Sequence, residues 1–184
     1  LTLNGFALGF YEKSGHGVRV IGHGGDTGWF HSDLALIHSE NLGIFMSTNT
    51  SGGGSVSFGP FFEAFMDHYY PTPPFQPPAP PDGLREDVQK YAGSYSFNRH
   101  SYTTFEKVMG LLGGPVKVAV GEESELLVTT PLGTFRAHWA EPGLFRMTEG
   151  PFDVTFEEDD AGRVTRMFIG PFPMMAADRL SFGA

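Results

Sequence analysis

The sequence contains no cysteine. That excludes disulfides, zinc–thiolate sites, iron–sulfur clusters and a cysteine nucleophile, and it leaves the redox compartment open. Basic residues are scarce: 12 Lys and Arg stand against 21 Asp and Glu, a formal charge of −9. So few cations cannot build a large basic patch, so nucleic acid and anionic membrane are poor partners. No apolar run reaches the length of a membrane-spanning helix, and no signal peptide is expected at the start. The first residue is Leu1 rather than Met, and strand-like sequence follows at once. The expectation is a piece of something longer.

Glycine and proline are plentiful, 25 and 14 of 184 residues, which argues for many turns and few long helices. Hydrophobic residues make up 40% of the chain, with 18 Phe, enough for a real core. Seven prolines crowd residues 71–81. Such a run suits neither a helix interior nor a central strand and favours an extended linker. The expected organisation is a segment over 1–70, a Pro-rich linker over 71–87 and a second module over 88–184.

In the first segment Gly5–Tyr11, Val18–Ile21, Trp29–Ile37 and Leu42–Thr48 read as four strands. Ser14–Gly17 and His38–Asn41 read as turns. A helix follows, because Phe61, Phe62, Phe65, Met66 and Tyr69 recur at helical spacing, with Pro60 suited to its first turn. The second module reads as eight short strands: 91–97, 103–111, 116–120, 125–130, 134–139, 143–147, 152–157 and 163–169. Turn signals such as Gly113-Gly114-Pro115 and Glu141-Pro142-Gly143 separate them. That spacing predicts a closed up-and-down barrel or a sandwich. Tyr91, Tyr95, Tyr102, Phe105, Phe135, Trp139, Phe145 and Phe156 would fill a barrel's interior.

The strongest local signal is His23-Gly24-Gly25-Asp26-Thr27-Gly28-Trp29-Phe30, between two strands. Glycine lets a ligand approach the backbone. A strand edge freed of side chains offers N–H donors to an oxyanion or carboxylate, and His23 adds a further donor. A glycine-rich turn with a surface histidine is the alternative these residues leave open.

Gly5–Phe10, His23-Gly24-Gly25, Gly28-Trp29-Phe30, the strand 32–37, Asn41–Asn49 and the helix together resemble the end of a serine β-lactamase fold. The resemblance is closest to the class C β-lactamase, esterase and D-peptidase relatives of penicillin-binding proteins. His23-Gly24-Gly25 matches that family's His-x-Gly motif. The resemblance implies that His23 helps bind a substrate carboxylate and that the Asp26 N–H forms half of an oxyanion hole. It also implies ester, amide or lactam acyl transfer by a serine, and a periplasmic, secreted or membrane-associated setting. Tyr91–Tyr95, Arg99–Lys107, Gly143–Arg146, Val154–Phe156 and Gly162–Thr165 resemble the lipocalin-like barrel appended to some of these hydrolases, with Phe168–Leu180 as the exit from it.

Two of the family's motifs are missing. There is no Ser-x-x-Lys; Thr104-Phe105-Glu106-Lys107 comes nearest, with the wrong nucleophile. Tyr-x-Asn is absent, and Ser39-Glu40-Asn41 and Ser47-Thr48-Asn49 follow His23 rather than precede it. The expectation is therefore a mainly β chain: a partial α/β antiparallel sheet with one helix, then a lipocalin-like eight-stranded antiparallel barrel. As the C-terminal fragment of a serine hydrolase it would be inactive alone, and the missing upstream catalytic segment would be its partner. The longer protein would act on a small-molecule substrate. The alternative is a module whose barrel takes up a small apolar ligand or serves assembly. An unfinished sheet also predicts self-association through residues 1–70.

No cofactor and no metal are expected. The seven histidines form no His-x-His or His-x-x-x-His pair, and His31 and His38 lie an odd number of residues apart. Glu157-Glu158-Asp159-Asp160 lacks the spaced oxygens of a calcium loop and reads as a solvated turn. Ser51–Ser55 lacks the Lys of a phosphate loop and reads as a connector.

Overall fold

A computed structural model describes residues 5–51, 54–98, 114–130, 133–148, 153–170 and 176–181, with the backbone alone at residues 7 and 54–57. The chain divides into two compact units, Asn4–Pro74 and Phe75 onward, and the boundary falls inside the proline block.

The first unit is a five-stranded antiparallel sheet with one helix. Its strands, β1 (Phe6–Ala7), β2 (Phe10–Glu12), β3 (Ile21–Asp26), β4 (His31–Ile37) and β5 (Leu42–Thr48), lie side by side in chain order. The sequence predicts four strands, and the extra one comes from a turn inside Gly5–Tyr11. Leu8 and Gly9 both take positive φ, 53° and 81°. That is the backbone of a tight two-residue hairpin, and Phe6 and Ala7 fold back onto Tyr11 and Phe10.

A second difference concerns β3. It begins at Ile21 and runs through His23–Asp26, so the glycine-rich stretch is strand rather than the link between strands. Gly22 is required there. A Cβ at that position would sit 2.0 Å from the Leu34 carbonyl oxygen of β4.

Helix α1 (Gly54–Tyr69) starts a turn and a half earlier than the Pro60 signal predicts, so Pro60 lies inside it. The Gly-Ser stretch read as a connector is partly helical, because packing of the helix on β4 and β5 overrides weak local propensity. Among the described side chains of α1 one stripe is covered. Phe62 and Met66 are buried with Val20, Ala35 and Ile37, and Phe65 packs at their margin. Phe61 and Tyr69 stay exposed.

The second unit is a closed eight-stranded antiparallel barrel, preceded by the short helix α2 (Leu84–Val88). Its strands are β6 (Gly93–Phe97), β7 (Val116–Val120), β8 (Leu126–Thr130), β9 (Gly133–Glu141), β10 (Leu144–Met147), β11 (Asp153–Glu158), β12 (Val164–Ile169) and β13 (Ala176–Arg179). Each pairs with the next, and β13 closes the ring on β6. The predicted strand over 103–111 lies outside the described residues. The predicted exit over Phe168–Leu180 is corrected: Ala176–Arg179 is the closing strand. Its residues carry no strand signal of their own. They are held by pairing with Tyr95–Phe97 and by Arg179, which donates to the Lys90 and Ala92 carbonyls at 2.9 and 2.7 Å.

Alternation governs the barrel. Val116 and Val118 of β7 are buried while Lys117 and Ala119 are exposed. Inside, Tyr91 stacks on Phe156 at 4.3 Å between ring centroids and meets Phe145 edge-on at 5.6 Å. Tyr95 is fully buried, and its hydroxyl donates to the Tyr91 carbonyl at 2.7 Å. Leu84 and Val88 of α2 join the same core. The interior is thus packed with side chains.

Candidate functional site

Strand β3 carries all four predicted site residues, His23, Gly24, Gly25 and Asp26, in unbroken register with β4. The pairs are His23 with Leu34, Gly24 with Asp33, Gly25 with Ser32 and Asp26 with His31. On the other side β2 covers only Ile21 and Gly22. From residue 23 onward β3 is therefore a local edge within the sheet.

The backbone donors follow from this register. Thr27 N–H donates to the Phe30 carbonyl at 2.9 Å and closes the β3–β4 turn. Antiparallel pairs alternate between bonded and non-bonded. Gly24 and Asp26 therefore aim their N–H groups away from β4, toward the side β2 leaves uncovered.

Around Gly24 the space is filled. A Cβ there would lie 2.9 Å from the Tyr11 hydroxyl oxygen and 3.0 Å from Asp33 Oδ1. The absent side chain makes room for those two groups. Gly25 differs: its Cβ would meet only Ser32 Oγ, at an ordinary 3.7 Å. Lys13 Nζ bonds both oxygens of Asp33 and lies over the rings of Tyr11 and Phe62, at 5.3 and 5.6 Å from their centroids. Burial, and then the Asp33 carboxylate, push the Tyr11 phenol above its ordinary range. His23 is exposed, with its ring 5.5 Å from that of Tyr11.

Among the described residues His31 is the buried histidine. Its Nδ1 lies 2.6 Å from Asp26 Oδ1 and its Nε2 lies 3.0 Å from the Thr50 carbonyl oxygen. Both partners offer oxygen atoms to the ring, one at each nitrogen. His31 fastens the end of β3 to the chain beyond β5 and sets the Asp26 carboxylate. Sequence reasoning weighed His31 only as a metal ligand. It missed His31, Tyr11, Lys13 and Asp33 as site neighbours, because strand register brings them together and no local motif does.

The other candidates have structural explanations. Asp159 holds the β11–β12 turn, accepting from the Ala161 and Arg163 N–H groups at 3.0 Å each. Those bonds and the Arg163 side chain keep its carboxyl below the ordinary range. Among the described residues no group of three potential ligands gathers to hold a metal. A cleft of about 540 Å³ lies between Pro77–Pro80 and Trp139 of the barrel unit. The buried carboxylate lining it, Glu125, already accepts from the Glu123 N–H and from Arg136.

No protein-family model matches the chain, and no curated protein matches it. Among solved structures the chain is similar to a crystal structure of SurE with D-Leu. The TM-score is 0.53 and the identity 19%, covering 96% of this chain and 39% of that one. A second crystal structure of SurE overlaps with a TM-score of 0.49 at 20% identity, covering 95% and 37%. The chain therefore spans about two-fifths of the SurE chains it matches, and the likeness is one of fold.

The first of these neighbours corrects the family expectation. The structure with a TM-score of 0.53 bears the name SurE, not that of a β-lactamase, esterase, D-peptidase or penicillin-binding protein. The reading as a C-terminal part of a class C β-lactamase-like serine hydrolase, with its ester, amide or lactam acyl transfer, is withdrawn. It rested on a three-residue motif and on strands followed by a helix, an order that many sheets share. The alternative of a lipocalin-like module taking up an apolar ligand falls as well, since Tyr91, Tyr95, Phe145 and Phe156 occupy the barrel's interior. What stands is a mainly β chain with a closed eight-stranded antiparallel barrel and a second, open sheet, similar in fold to part of SurE.

Proposed function

We propose that the sheet unit forms one wall of a binding site for an amino acid or the end of a short peptide. One observation carries this reading: the cross-strand row His23–Leu34–Phe45 over β3, β4 and β5. It sets an imidazole beside an aliphatic and an aromatic side chain, next to a strand edge with an outward Asp26 N–H. A carboxylate fits the imidazole and the N–H, and an apolar side chain fits the rest of the row. The fold likeness to SurE, whose crystal structure contains D-Leu, supports this ligand class. His23, Gly24, Gly25 and Asp26 keep the binding role that the sequence suggests, without a nucleophile.

The test is an amide NMR titration with D-leucine and L-leucine. A single wall binds weakly, so the expected Kd is on the order of millimolar. Shifts should cluster at residues 23–26 and 32–34, and His23→Ala should weaken binding several-fold. Shifts spread evenly over both units, or none at 23–26, would sink the reading.

A further inference from the structure

The barrel strands alternate in direction, so the starts of β6, β8, β10 and β12 and the ends of β7, β9, β11 and β13 share one rim. The chain enters the barrel across that rim. Between the proline block and β6 lie α2 and a single 3₁₀ turn, Gln89–Tyr91. Leu84, Val88 and Tyr91 of this segment are buried in the barrel's core. Residues 84–91 therefore plug that end.

The plug's own backbone holds it weakly. Its helix has five residues, and helices shorter than about 12–15 residues do not stand alone. Its backbone bonds stay local: Glu86 and Asp87 N–H donate to the Gly83 carbonyl, and Ala92 N–H donates to that of Gln89. Side chains make the ties to the rim. Arg85 donates to the Gly121 and Glu122 carbonyls of the β7–β8 turn, at 3.1 and 2.8 Å. Lys90 pairs with Glu158, at the end of β11, at 2.8 Å. From inside the barrel the Tyr95 hydroxyl donates to the Tyr91 carbonyl.

The closing strand adds its own tie. Arg179, the last residue of β13, reaches back to the Lys90 and Ala92 carbonyls with two donors of one guanidinium. Gly93 leaves it room, since a Cβ there would come within 3.2 Å of Arg179 Nε. A rigid planar fork can hold two carbonyls at once, where a lysine offers a single flexible point charge. We propose that residues 84–91 form a latched plug. The segment opens and reseats as one unit on a standing barrel, and Arg179 is the latch that holds it shut once β13 has closed the ring. When the plug leaves, the ring keeps its ladder of backbone hydrogen bonds, and the plug has no ladder of its own.

Native-state hydrogen exchange on the full chain tests this. In the wild type the amides of Glu86, Asp87, Val88 and Ala92 should exchange together, about tenfold or more faster than those of Val118 and Val128 in the ladder. Arg179→Gln should speed the four plug amides by about a further tenfold and leave Val118 and Val128 within roughly threefold. Arg85→Ala, which frees the tie to the β7–β8 turn, should speed the same four together. Plug amides as slow as the ladder's in the wild type would overturn the inference, because the plug would then move only with the barrel. So would four amides that part company in Arg85→Ala, since the segment would not be a unit. An Arg179→Gln chain whose plug is unchanged, whose strands all exchange faster alike, or which unfolds would also overturn it, leaving Arg179 no role as a latch.

Discussion

The two units treat their apolar side chains in opposite ways. Among the described residues, eighteen buried hydrophobic residues belong to the barrel unit and five to the sheet unit. Eight of the nine large hydrophobics left exposed belong to the sheet unit, with only Leu180 on the other side. Burial of one such side chain contributes about 1.5–3 kcal/mol, so the contrast decides which unit can stand by itself. Closure explains it. A barrel has no edge and only one face to fill, and its interior-facing residues fill it. An open sheet has two faces and two edges. One helix covers part of one face, through Phe62, Phe65 and Met66.

That contrast can be broken by substitution, beginning with the largest effect. Phe145→Ala, at the centre of the barrel's aromatic cluster, should cost about 3–5 kcal/mol in chemical denaturation. An effect near zero would mean that the barrel is loosely filled. Gly22→Ala should be nearly as damaging to the sheet unit, by about 2–4 kcal/mol, because its Cβ meets backbone that cannot turn aside. Near-neutral behaviour would show that β3 and β4 sit farther apart. His31→Ala should cost about 2–3 kcal/mol, since it removes a buried side chain that ties Asp26 to Thr50 and leaves a cavity. The loss should show in hydrogen exchange at residues 26–31 and 50, with β10–β12 unaffected.

A pH titration sharpens the same contrast from the barrel side. Burial pushes the Tyr95 phenol from 10.0 up to about 12. The folded barrel therefore keeps a proton that the unfolded chain gives up. Its contribution to stability is whole below pH 10 and is lost as pH rises toward 12. Thermal melts and absorbance at 295 nm, followed together between pH 9 and 12, should show the phenol ionising as the barrel opens. Early ionisation without unfolding would contradict the burial. The smallest effect is expected at Phe61→Ala, within about 0.5 kcal/mol, because that side chain is half exposed.

Much of the barrel is legible in the sequence. Val116–Val120 appears as read, and Val164–Ile169 begins one residue later than expected. Alternating apolar residues between Gly, Pro and Asp turns leave little freedom there. β13 is not legible, since Ala-Ala-Asp-Arg becomes a strand only when β6 and β12 offer edges on either side. In the sheet unit the strand positions of β4 and β5 are legible for the same reason as the barrel's. The start of α1 is not, because packing sets it. The candidate site divides likewise. His23-Gly24-Gly25-Asp26 announces itself by composition, whereas the Tyr11–Lys13–Asp33 cluster and the His31 tie depend on register. Composition also misled, because Gly22 and Gly24 are explained by neighbours that fill the space a side chain would take.

The place of β13 in the ring bears on synthesis. The barrel cannot close until Arg179 has been made and meets Tyr95, whereas the sheet is complete by Thr48 and its helix by Tyr69. At roughly 5–20 residues per second, the sheet waits on the order of 5–20 s for the barrel's last strand.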